Sequence, residues 1–290
     1  MRVTWVLNIA GALLVLLVLR DIFHTLWHPR GFGSVGRLVF AGVWSLTRGG
    51  RGEISGPTGL LAVALTWTGL VVLGWTLIYL PHMPDRFYFG SSLHPAASHD
   101  LVASLYLSLV SVATLGFGDI VPSHAALRLT VPLQALIGFV LLTAVISWVL
   151  QVYPALSRRR TVARQLSILA ETDTIDYVTT GDVSVVAQLL QDLVDGLISV
   201  RMDLLQYGET YYFREGDATL SLAANLPYAL DLVAAGKASE CPDVRHLAAM
   251  LELAVGDLAV GLAAYVGEQE TVPATLEAFA ADHRQKPLRG

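Results

Sequence analysis

One cysteine, Cys241, stands in 290 residues. That excludes an intrachain disulfide framework and any zinc site built from cysteines. Charge is scarce too: Asp, Glu, Lys and Arg make up 15% of the chain, against about 25% in soluble domains. No D-x-D-x-D-G loop occurs, so the acidic residues read as a solvated face rather than a calcium site. No nucleophile–base or metal constellation rises above chance, and the protein is not expected to be an enzyme. Residues 31–36 spell G-x-G-x-x-G, but they follow an apolar run instead of a strand. They read as a flexible elbow and not as a dinucleotide site.

What is present is apolar. Hydrophobic residues make up 54% of the chain and the mean hydropathy is +0.56, which points to a membrane protein. Charge divides unevenly: residues 1–160 hold 11 Lys/Arg against 5 Asp/Glu, a net of +6, and residues 161–290 hold 8 against 19, a net of −11. An acidic half of this kind argues against nucleic acid as a partner. A bilayer core about 30 Å thick needs roughly 20 apolar residues in a helix, and residues 3–19, 59–80 and 127–151 qualify. The first run has the look of a signal-peptide core, yet Arg20 and Asp21 follow it in place of a small-residue cleavage site, so it reads as a span. Residues 37–48 are apolar but too short to cross, and read as a helix on the membrane surface.

Orientation follows from Arg in the short loops. Arg20, Arg30, Arg37, Arg48 and Arg51 lie between the first two spans, Arg158, Arg159 and Arg160 follow the third, and loop 81–100 holds only Arg86. The expectation is a multi-pass protein of the cell (plasma or inner) membrane, with a short N-terminus outside and the C-terminal half in the cytoplasm. Trp5, Trp27 and Trp148 fall near span ends, as interfacial aromatics do.

Between the second and third spans, residues 100–113 predict a helix too short to cross, with Asp100 suited to cap its start. The chain must then return through T-L-G-F-G-D, residues 114–119. Non-helical backbone at membrane depth is tolerated only where protein buries it or where water and ions solvate it. Glycine at 116 and 118 permits backbone conformations closed to residues with a Cβ, so that successive carbonyls can face one axis.

This run resembles the selectivity-filter signature T-[VIL]-G-[YF]-G-D of the bacterial potassium channel pore family, in which a pore helix and filter loop sit between two spans. The resemblance covers residues 58–152. It implies ion sites at the carbonyls of Thr114, Leu115, Gly116 and Phe117, with Gly118 at the outer mouth and Asp119 behind it. K+ is then the permeant ion, no cofactor is implied, and four chains must close the ring as a homotetramer in the lipid bilayer. Phe117 would pack outward and hold the loop against the pore helix. It stands where Tyr is commoner, and Val110 stands where some simple bacterial channels have a buried Glu. Gly138, twenty residues past Gly118, falls where the family's inner helix has a gating hinge; the plainer reading is a small residue for close helix packing. No span repeats Arg or Lys at every third position, so voltage sensing of the four-helix type is not expected.

Further candidates are weaker. Thr143 and Ser147 can line a cavity below the filter, or bond back to their own helix. Asp21, His24 and His28 can share a helix face that binds a metal or senses pH, or simply pack. His82, His94, His99 and His124 fall on the outer side, and His124, five residues past Asp119, is a candidate for proton block at the mouth. Beyond residue 161 the pattern is helical: Asp182 suits a cap and Gly208 an end of one helix, with others over 218–235, 243–266 and 273–282, and a strand over 210–213. The fold expected is an all-α membrane protein in three parts: residues 1–57 (span and elbow), 58–153 (pore module) and 154–290 (cytoplasmic helical domain open to an unidentified ligand). The function expected is a potassium-selective channel gated at its inner helices. The alternatives are a weakly selective cation channel and a membrane-anchored scaffold with a vestigial pore.

Overall fold

The long apolar runs fold as helices even where they carry Gly or Pro, as at Gly69 and Pro132, and the computed structural model describes residues 2–26, 33–47, 54–90 and 100–288. His28, His94, His99 and residues 31–32 of the expected elbow lie outside them. The protein is an all-α membrane protein. It divides into two units, residues 1–41 with 59–150, and residues 42–58 with 151–290.

In the first unit, α1 (Arg2–Leu26) and α3 (Ser55–Tyr79) approach at two glycines. A Cβ at Gly11 would lie 2.3 Å from the Gly74 carbonyl oxygen. Only glycine permits this backbone contact, the usual device where lipid gives helices no hydrophobic reason to associate. Between them α2 (Ser34–Thr47) begins on a buried acid. Asp21 accepts the N–H groups of Val35 (2.9 Å) and Gly36 (3.2 Å), and the indole N–H of Trp67 at 2.9 Å. A carboxylate at a helix start satisfies orphan donors and the positive end of the dipole. Asp21 is therefore a structural cap. Among the described residues no group of three metal-binding side chains occurs.

Pro81 ends α3 in a 3-10 turn, Leu80–His82. A short strand pair not foreseen from the sequence follows: β1 (Phe87–Phe89) runs antiparallel to β2 (Ile120–Pro122), with Tyr88 opposite Val121. Between the strands lies α4 (Asp100–Val112), and after them α5 (Ala125–Glu171). α5 is far longer than the third apolar run: it continues through Pro154 to residue 171 as one helix.

The second unit is a bundle of α6 (Thr174–Thr180), α7 (Val183–Gln206), α8 (Leu222–Asn225), α9 (Tyr228–Ala238), α10 (Pro242–Val266) and α11 (Val272–Asp282), with the far part of α5. Asp182 caps α7 through the N–H of Ser184 at 2.9 Å. The apolar stripes Leu190, Leu193, Leu197 of α7 and Leu251, Val255, Leu258 of α10 are wholly buried. By length and composition five described helices can cross a membrane, α7 and α10 among them; these two pack on each other.

Three expectations change here. α7 ends at Gln206, so Gly208 starts the next element instead of ending the helix. The expected strand over 210–213 is mostly a 3-10 turn, Gly208–Tyr212. Its aromatic rings pack on Trp44 and Tyr265, and its carbonyls are taken by Arg159 (2.5 Å from Thr210, 2.7 Å from Phe213), which leaves no edge for a strand partner. The expected helix over 218–235 is split around Pro227, which cannot donate to the helix ladder.

Candidate ion-conduction site

α4 is half the length of a span, so its last carbonyls end inside the apolar layer and need donors. The following residues supply them. Ala113 N–H donates to Leu109 O (3.1 Å), Thr114 N–H to Ser111 O (3.0 Å) and Leu115 N–H to Val110 O (2.9 Å). Val110 thus supports the loop through its backbone while its side chain is buried.

The loop is not a plain extended return. Thr114, Gly116 and Gly118 have positive φ, +57°, +57° and +74°, and Leu115 and Phe117 between them do not. A φ that alternates in sign is a backbone pattern that lets successive carbonyls turn toward one side. Glycine takes these angles freely, whereas Thr114 holds a sparsely populated one; strain of this kind concentrates where backbone does the work.

All of residues 113–118 are exposed on the single chain. Phe117 is 64% exposed and Leu115 58%. The outer end is anchored elsewhere. Tyr106 Oη donates to Asp119 Oδ2 at 2.5 Å, Ile120 N–H to Asp119 Oδ1 at 3.0 Å, and Gly90 N–H to the Asp119 carbonyl at 2.7 Å. Tyr106 went unnoticed in the sequence, although it lies seven residues before Ala113 on one face of α4.

Below the loop, a hollow of about 340 Å³ is walled by Leu65, Val112, Thr114, Gly138, Phe139 and Leu142 among others. Gly138 meets the end of α4 directly: a Cβ there would lie 2.2 Å from the Val112 carbonyl oxygen. Thr143 stands outside this wall with its hydroxyl bonded back to the Phe139 carbonyl at 2.9 Å, and half-buried Ser147 is outside it too. His124 is exposed at the start of α5, where its Nδ1 faces the Ala126 N–H at 3.4 Å.

A half-length apolar helix, followed by a glycine-rich loop whose φ alternates in sign, is the arrangement of a pore-loop membrane protein. Residues 65–153 match the family described as "Ion channel". The chain is also 28% identical over 173 residues to an uncharacterized membrane protein of Bacillus subtilis (strain 168), YdjJ, across 57% of this chain and 50% of the relative. It therefore spans about half the length of that curated relative. No solved structure matches.

Proposed function

We propose that the protein is a potassium-selective channel that conducts passively through four copies of the 114–119 loop arranged about one axis. The observation that carries this reading is the alternation of positive φ at Thr114, Gly116 and Gly118 within T-L-G-F-G-D. Aligned carbonyls can replace the hydration shell of a dehydrated cation. One chain contributes one edge, and the exposure of Leu115 and Phe117 suits a loop covered by neighbouring copies. The short N-terminus faces outward and the acidic second unit lies in the cytoplasm, following the Arg distribution.

Gating is assigned to α5. It runs without interruption from the pore module to residue 171. At Arg159, 8% exposed, it holds the Thr210 and Phe213 carbonyls and reaches Glu215 at 3.5 Å. The 207–215 segment also receives Ser55 at the start of α3, whose hydroxyl donates to the Tyr212 carbonyl at 3.2 Å. One loop thus holds both pore helices near residues 55 and 159, a route by which a stimulus in the bundle reaches the gate. His124 at the mouth would add positive charge when protonated and reduce cation entry.

A weakly selective cation channel is the second reading, favoured by Phe at position 117, which lacks the phenolic hydroxyl by which a Tyr could bond to the pore helix. Liposomes carrying the purified protein distinguish the two: uptake of K+ well above Na+ supports the first, and equal uptake the second. No uptake by a folded oligomer would leave a scaffold.

A further inference from the structure

Behind α4, polar side chains cross the apolar interior in one connected chain. Gln134 on α5 is fully buried. Its Nε2 donates to the Ser108 carbonyl (2.9 Å) and to Ser108 Oγ (2.8 Å) on α4. Its Oε1 accepts the Tyr79 hydroxyl of α3 at 2.7 Å. Ser108 Oγ in turn donates to the Val72 carbonyl, also on α3, at 2.9 Å. The amide is used at both ends, and Ser108 Oγ is donor and acceptor at once.

Apolar side chains would pack these three helices without burying an amide, a phenol and a hydroxyl. Polar groups at this depth are expensive and tend to carry function. What they add over apolar packing is direction: each bond fixes α4 in rotation and depth, which a greasy contact leaves loose. Ser108 stands just before Leu109, Val110 and Ser111, whose carbonyls hold the N–H groups that start the filter loop. Tyr79 reaches the far side as well. Its ring lies 6.1 Å from Phe87 in an edge contact, and Phe87 opens β1, paired with the strand directly after Asp119. The chain of bonds therefore touches supports at both the entry and the exit of residues 114–119.

We propose that Tyr79, Gln134 and Ser108 form a filter-positioning clamp, and that Gln134 sets the discrimination between K+ and Na+ without touching the ion. This rests on the potassium-selective reading above. The variants Q134L, Y79F and the pair together, purified full-length and reconstituted, are compared with the parent for K+/Na+ permeability ratio. Oligomer size and thermal melting are followed alongside. The clamp predicts that Q134L lowers the ratio about tenfold, the effect of one net hydrogen bond on an equilibrium. Y79F should lower it less, and the double variant no more than Q134L. A purely structural role would lower melting and leave the ratio alone. An unchanged ratio in a correctly assembled Q134L overturns the clamp; should Q134L not assemble, an unchanged ratio in Y79F does so. A parent that does not discriminate overturns the potassium-selective reading and the clamp together, a result distinct from a selective parent with indifferent variants.

Discussion

The phenol of Tyr106 and the carboxylate of Asp119 stand 2.5 Å apart at the end of the 114–119 loop. This bond joins the middle of α4 to the outer end of T-L-G-F-G-D, while the Leu115 N–H to Val110 O bond closes the inner end. The loop is a short strap fixed at two points, with strained Thr114 and two glycines between them. Removing the phenol loosens that end only, where the Gly90 N–H still holds the Asp119 carbonyl. Tyr106→Phe is expected to assemble and conduct, with currents that decay faster than the parent's under sustained recording. Decay at the parent rate would show that the bond does not hold the filter.

Gly138 carries two readings that one substitution separates. Its missing Cβ leaves room for the Val112 carbonyl, which an added methyl would meet at 2.2 Å. Gly138→Ala should therefore push the end of α4 away and cost about 1–3 kcal/mol, as overpacking does. The measurement is the thermal melt of the detergent-solubilised protein together with flux. A lower melt with reduced flux fits a packing glycine. An unchanged melt with slowed opening fits a hinge.

Arg159 meets two backbone carbonyls and Glu215 from a buried position. Arg159→Met keeps much of the volume and removes the buried donor from both carbonyls, while Glu215 keeps Arg160; this should destabilise the second unit by about 3 kcal/mol. Arg159→Lys should rescue only part, because a single ammonium cannot span two carbonyls as a planar guanidinium does. Melting and limited proteolysis of residues 207–217 report this directly. Under the gating route proposed above, open probability changes in the same variants; an open probability equal to the parent's would detach Arg159 from the gate.

Half of what matters here was readable from the chain and half was not, for a physical reason. The short helix before T-L-G-F-G-D and the helical C-terminal half follow from local pattern: span length, periodicity and glycine spacing. Asp21, Tyr106, Gln134 and Arg159 act through partners distant in sequence, at separations of 46 for Trp67, 13 for Asp119, 26 for Ser108 and 51 for Thr210. No periodicity announces such a bond. The signal available was a polar residue alone in an apolar stretch, which fits Gln134. The turn over 208–212 was misread because its aromatics favour strands by composition, and tertiary contacts with Trp44 and Tyr265 overrode that preference.

His283 gives the second unit a pH dependence. It is 2% exposed, its ring packs on Trp44, Tyr211 and Phe279, and its Nε2 is buried without a hydrogen-bond partner. Burial, then the positive charges of Arg159 and Arg214, hold its pKa well below 6.5. The nearby Asp282 carboxylate is engaged by Trp44 and Tyr211, and Glu215 by Arg160. The folded state keeps His283 neutral, whereas the unfolded chain takes up a proton below its ordinary pKa. The stability His283 contributes is thus present above pH 6.5 and is lost as pH falls, by up to about 1.4 kcal/mol per pH unit. Melting of the full-length protein between pH 7.5 and pH 5, on the order of this window, should fall steeply for the parent and less so for His283→Leu. Equal slopes would exclude His283 as the cause.

The central claim is that aligned carbonyls at residues 114–117 select potassium. Single-channel recording under bi-ionic conditions, K+ on one side and Na+ on the other, tests it most directly. The account predicts a reversal potential displaced strongly toward the K+ equilibrium value. Reversal at zero potential from open channels would contradict it.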